Sequence, residues 1–207
     1  VGSLQPSMAA DGPACRYPAR NLAQPARHTF PNFGSRVWTS GLPMDLTSRI
    51  QALEDIEAIK RLKHDYFYFC DTKQPDKVRD CFVEGPVHID YGRIGVFTQR
   101  DALVAVFTEM ACHEHMVEMH HAQSPRIDLL DETSAKGMWG LYYHLIDTNS
   151  RSVTQLGAYY EDEYRKVDGR WLISSTVCKV NSTHVSDLSD HVARVVFAGR
   201  TAPDAGA

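Results

Sequence analysis

Ten histidines stand out in a chain of 207 residues, and four of them cluster: His113, His115, His120 and His121. Histidine takes up and returns protons near neutral pH, and it also ligates metals. With Glu114 or Glu118 alongside, one reading is a metal site of imidazole and carboxylate. Strand periodicity works against it, because adjacent His120 and His121 would point to opposite faces and could not chelate one ion. His113 and His115 fall in an expected helix-to-strand loop, where exposed histidines are the plainer account. No metal is expected. A second constellation is Tyr66 and Asp71, at the C-terminal end of a long expected helix. An aspartate there opposes the helix macrodipole, so its presence needs a reason. Turn formation with Thr72 and Lys73 is one reason, and a chemical role is the other.

Several chemistries lack their signatures. The chain has no G-x-G-x-x-G, no G-x-x-x-x-G-K-[ST], no G-x-S-x-G and no H-E-x-x-H, so nucleotide-dependent and serine-hydrolase activities have no support. A net charge of −4 argues against binding nucleic acid. No apolar run approaches the roughly 18 residues of a membrane span, so no membrane partner is expected. The five cysteines are Cys15, Cys70, Cys81, Cys112 and Cys178, scattered and without a C-x-x-C pair. With no secretion-type leader pattern, they fit a reducing, cytoplasmic setting.

The elements that must position these residues begin after a shift in composition. The first 45 residues hold six of the ten prolines and four glycines, and four arginines against two aspartates give them a net charge of +2. Residues 1–45 read as a Pro-rich N-terminal extension, partly disordered. Within it, the aromatic-rich stretch 28–38 either lies against the domain or a neighbouring subunit, or is a loose tail. Residues 46–198 read as one α+β domain, and 199–207 as a disordered tail. Ser48–Gln51 offers a capping box, and Ile50, Leu53, Ile56, Ile59, Leu62, Tyr66 and Phe69 recur every three or four residues, predicting an amphipathic helix to about Cys70. A short helix follows over Pro75–Phe82, then a strand pair at Val87–Tyr91 and Ile94–Phe97. A helix starting near Thr98–Asp101 buries Leu103, Val106, Phe107 and Met110. Strand-like segments follow at Met116–Ala122, Ile127–Leu130, Ala135–Asp147, Val153–Val167 and Arg170–Val180, with Asp168-Gly169 a strong hairpin turn. A last helix is expected over about Ser186–Phe197. Helices first and a long meander afterwards mean α+β, with a curved antiparallel sheet.

The run Gln51–Lys73 resembles the opening helix of SnoaL-like proteins, which have the nuclear-transport-factor-2-like cone fold. Met119–Ile127 and Ala135–Trp139 are similar to that family's middle strands, and Gly157–Ile173 to its terminal hairpin. The resemblance covers about residues 48–197. It implies a cone-shaped curved sheet wrapped around N-terminal helices and enclosing a pocket. Within the family the pattern is most similar to bile-acid 7α-dehydratases, with scytalone dehydratases more distant.

By that resemblance, Tyr66, Asp71 and His120 are the catalytic set, and Tyr91, Tyr143 and His144 bind substrate. One departure is visible: where the bile-acid enzymes carry a further catalytic aspartate, this chain has Tyr143, and whether the neighbouring His144 substitutes for it is left open by the sequence. The implied activity is cofactor-independent elimination of water from a hydroxylated, carbonyl-activated cyclic substrate such as a steroid or polyketide. A ketosteroid-type isomerase is an alternative, because it shares proton abstraction beside a carbonyl. A noncatalytic ligand-binding or accessory subunit is another. The resemblance also implies a homo-oligomer, a trimer before a dimer. Fold alone leaves these activities open.

Overall fold

The computed structural model of the protein describes residues 45–188. The Pro-rich extension and the C-terminal tail lie outside them. Helix α1 runs over Leu46–Asp71, and its N-cap is Asp45, whose carboxylate accepts from the Ser48 backbone N–H at 2.7 Å. The helix therefore starts earlier than the Ser48–Gln51 capping box predicts. Its buried face is also rotated. Asp55, Ile59, Lys63, Tyr66, Phe67 and Cys70 are buried, while Ile50 and Leu53 from the expected apolar stripe are 48% and 64% exposed. Two charged residues face inward because partners wait there.

Helix α2 spans Pro75–Asp80, strand β1 Pro86–Asp90, β2 Val96–Gln99 and helix α3 Arg100–Ala111. Four long strands follow: β3 over Met116–Leu129, β4 over Ser134–Asp147, β5 over Ser152–Val167 and β6 over Arg170–Asp187. The sheet order is β2-β1-β6-β5-β4-β3. The meander is antiparallel as expected, but β1 pairs parallel to β6, so the sheet is mixed. The two strand segments expected around Ser124 and Pro125 are one strand. β3 passes through them by a register shift between Gln123 and Arg126, with Ser124 at φ +46°. The Asp168-Gly169 turn has φ of +50° and +78°, matching a type I′ hairpin that joins Val167 directly to Arg170. β6 runs beyond Val180, so Ser186 and Asp187 of the expected last helix are strand; the rest of that segment lies outside the described residues from 189 onward. Among the described residues no helix is long and apolar enough to cross a membrane.

The core lies between α1 and the concave sheet face, and its floor is polar at one point. Lys63 and Asp162 are both fully buried and form an ion pair at 2.8 Å. Asp162 also accepts from Tyr164 and Thr176, each at 2.7 Å, and Tyr164 accepts from Trp139 at 2.9 Å. The Lys63 ammonium sits 3.7 Å from the Tyr160 ring centroid. A second anchor ties α1 to the β5–β6 hairpin: Asp55 accepts from Lys166 at 2.6 Å and from the Trp171 indole at 2.9 Å. These pairings explain why the buried face of α1 is the one that carries Asp55 and Lys63.

Gly137 illustrates the tightness of this floor. A Cβ there would stand 2.9 Å from the Tyr164 ring, which is held by hydrogen bonds and cannot swing away. Gly137→Ala is expected to cost about 1–3 kcal/mol through overpacking, read as a lowered midpoint in urea unfolding. An unchanged midpoint would show that Tyr164 is free to yield.

Candidate active site

The C-terminal end of α1 brings Tyr66 and Cys70 to the wall of a cavity of about 270 Å³, and Asp71 is the helix's last residue. β3 supplies Glu118 and His120, alternate residues on one strand face; β4 supplies Leu141 and Tyr143. Tyr91 enters after β1, and α3 closes the wall with Leu103, Val106, Phe107 and Met110. The lining is mainly apolar, with a few polar groups converging, as in sites for small organic ligands.

The polar groups are organised in pairs. Asp71 Oδ1 lies 2.6 Å from His120 Nδ1, and the Asp71 carboxylate also accepts from the His120 backbone N–H at 3.1 and 3.2 Å. Three contacts to one residue supply the reason for an aspartate at a helix C-terminus, and the turn is secondary. A carboxylate only accepts, so Nδ1 carries a proton, and in the neutral form of the ring that tautomer makes Nε2 the acceptor. The ring is held flat against Phe67, with centroids 5.1 Å apart and planes 11° from parallel. Both side chains are largely buried, at 17% exposure for Asp71 and 14% for His120.

Tyr66 and Tyr91 share one hydrogen bond, 2.7 Å between their hydroxyl oxygens. Burial raises both phenols well above the ordinary tyrosine range, and the neighbouring Tyr91 adds to the rise at Tyr66. They stay protonated. Two protons and one shared bond leave the pair one O–H to donate, beside the Cys70 thiol and the Thr176 hydroxyl. Tyr143 donates to Glu118 at 2.6 Å, and Glu118 pairs with Lys73. Burial, then the Glu118 charge, holds the Tyr143 phenol far above its ordinary value. The Cys70 thiol also lines the cavity, and burial pushes it well above the usual thiol range, so it is a neutral wall group.

Of the six residues singled out from sequence, five meet in this cavity: Tyr66, Tyr91, His120 and Tyr143 line it, and Asp71 is bonded to His120. His144 does not. It alternates with Tyr143 on β4 and pairs in register with Met119 and Gln155 on the other sheet face. It therefore does not stand in for the aspartate that the resemblance expects near Tyr143. Glu118 brings a carboxylate there instead, from the neighbouring strand. Its position two residues before His120 was the available signal, since alternate strand residues share a face. Lys73 gave no such signal. His121 contacts Tyr142, outside the cavity lining, and His113 and His115 stack on each other at 5.2 Å in the loop before β3. Among the described residues no group of three or more His, Cys, Asp or Glu is placed to hold a metal ion.

Comparison with known proteins adds a family and a set of folds. The family model for the SnoaL-like domain matches residues 51–177. The protein called "Putative Scytalone Dehydratase" from Novosphingobium aromaticivorans DSM 12444 is 25% identical, with a TM-score of 0.61 over 73% of this chain and 95% of that one. A hexachlorocyclohexane dehydrochlorinase, LinA Type2, is 16% identical, with a TM-score of 0.63 over 72% of this chain and 97% of its own. LinA-type3 of Novosphingobium barchaimii LL02 is 14% identical, with a TM-score of 0.61 over 75% and 99%. The last two share the fold. The family match runs from within α1 into β6 and takes in most of the cavity lining, and on that match the chain belongs to the SnoaL-like domain family.

Proposed function

We propose that this protein is a cofactor-independent lyase that eliminates water from a cyclic substrate carrying a carbonyl and a β-hydroxyl. The observation that carries the reading is the Asp71–His120 contact of 2.6 Å, which backs a histidine lining an apolar cavity. Likeness to a protein named for scytalone dehydratase supports the same class.

In this reading His120 Nε2 takes the proton from the carbon beside the carbonyl. Asp71 holds the ring's tautomer and stabilises the imidazolium that forms. The negative charge that develops on the carbonyl oxygen is met by the spare O–H of the Tyr66–Tyr91 pair, the role of an oxyanion hole. The C–O bond to the hydroxyl then breaks, and the imidazolium returns its proton to the departing oxygen. Substrate leaves as an unsaturated ketone and water, and the enzyme ends as it began. A cavity of about 270 Å³ favours a compact fused-ring ligand.

The test is a panel of β-hydroxy ketones, followed by enone absorbance, with matched ketones lacking the hydroxyl. Water loss by the wild type, absent in Asp71→Asn, supports the reading; equal water loss in that variant overturns it. Double-bond migration in the ketones without hydroxyl, with no elimination in the others, replaces it by the isomerase. Tyr66→Phe is expected to lower kcat about 10²–10³-fold while KM changes little, because the donor acts on charge that develops in the transition state. A change confined to KM would make Tyr66 a ground-state binding group.

A further inference from the structure

Lys73, Glu118 and Tyr143 take no part in the proton transfers above, yet they are built with care. Both Glu118 oxygens are engaged, Oε1 by the Lys73 ammonium and Oε2 by the Tyr143 hydroxyl. Their side chains are nearly shut off from solvent, Lys73 at 11% exposure and Glu118 at 5%. Lys73 reaches this position from the turn after α1 with φ at +57°, a backbone conformation that lysine rarely adopts. The Tyr143 ring packs 4.7 Å from the His120 ring.

The arrangement sets a polarity. A carboxylate gripped by an ammonium accepts hydrogen bonds and does not donate. Tyr143 has one proton, and it is committed to Glu118, so its remaining capacity is that of an acceptor. The Tyr66–Tyr91 pair is the opposite, with two protons for the one bond between them, so the pair can donate outward. We infer that the cavity reads its ligand by this polarity: the phenol pair donates to a carbonyl, while Tyr143, held acceptor-only by Glu118 and Lys73, receives the O–H of a ligand hydroxyl. Glu118 and Lys73 are positioning residues, and Tyr143 sets specificity for hydroxylated ketones. The inference rests on the proposed site and names its substrate class, but it does not need the elimination step.

Binding tests it without turnover. Dissociation constants of 4-hydroxy-1-tetralone and 1-tetralone are measured on the full chain by ligand-observed NMR titration. The wild type is expected to bind the hydroxylated ketone about tenfold more tightly, the size of one well-made hydrogen bond. Tyr143→Phe, which removes a single oxygen, should bring the ratio close to one and leave 1-tetralone unchanged. Glu118→Gln, whose amide can donate to Tyr143 as well as accept from it, should fall between. A structural role alone would weaken both ligands together. Equal binding of the two ketones by the wild type, or a ratio that survives Tyr143→Phe, overturns the inference and leaves the proposed function standing. Failure to bind either ketone overturns the inference, while the proposed function, which needs a β-hydroxyl where 4-hydroxy-1-tetralone has a γ-hydroxyl, is decided by the elimination panel.

Discussion

His120→Gln is expected to slow elimination about 10²–10⁴-fold, the usual contribution of a positioned general base, with ligand binding largely retained. Glutamine keeps much of the ring's length and can still hydrogen-bond to Asp71, but it cannot carry a proton from carbon to the leaving oxygen. Asp71→Asn should reach the upper part of that range, about 10⁴-fold, although it keeps every heavy atom in place. An asparagine can offer its NH₂ to Nδ1, which moves the ring proton to Nε2 and removes the base from the cavity. The two changes should not add. Once the ring is gone, the carboxylate has nothing to orient, so the double variant is expected to match the worse single one. Single-turnover rates on a β-hydroxy ketone measure this directly. Additive losses would mean that Asp71 and His120 act separately, and undiminished rates in His120→Gln would remove the histidine from the chemistry.

Asp162→Asn carries the largest expected loss of stability. It leaves the fully buried Lys63 ammonium facing the Tyr160 ring with no counter-charge, and breaking one side of such a pair costs about 3–5 kcal/mol. For a domain of this size that corresponds to a fall in Tm of roughly 10 °C or more. Lys63→Met should cost less, since the Asp162 carboxylate it leaves behind still accepts from Tyr164 and Thr176. The double variant Lys63→Met with Asp162→Asn should recover part of the loss, because no bare charge remains. Thermal unfolding of the three variants checks the order. Equal losses in both singles, with no recovery in the double, would show that packing rather than charge sets the cost.

Local rules account for much of what was legible in the residues. The periodicity of Ile59, Leu62 and Tyr66 announced α1, and Asp168-Gly169 announced the β5–β6 hairpin, because neighbours along the chain alone decide a helix period and a type I′ turn. Resemblance to a family added the grouping of Tyr66, Asp71 and His120 before any contact was visible, and Asp71 and His120 do meet although 49 residues separate them. The resemblance also grouped Tyr143 with His144, but adjacent strand residues point to opposite faces, and only Tyr143 lines the cavity.

What tertiary structure alone decided involves partners that the chain brings together from far apart. Hydrophobic spacing put the inner face of α1 on the side of Ile50 and Leu53, yet the helix turns Asp55 and Lys63 inward, because Lys166, Trp171 and Asp162 neutralise or bond to them. A charged residue reads as exposed until its counter-charge is located, and that charge lies on another strand. The parallel pairing of β1 with β6 is equally non-local. So is the polarity of the cavity: a turn lysine at positive φ, a β3 glutamate and a β4 tyrosine form one group only when the sheet curves over the end of α1. Short-range propensity is written in consecutive residues, whereas the protonation and direction of a buried polar group depend on what the fold sets against it.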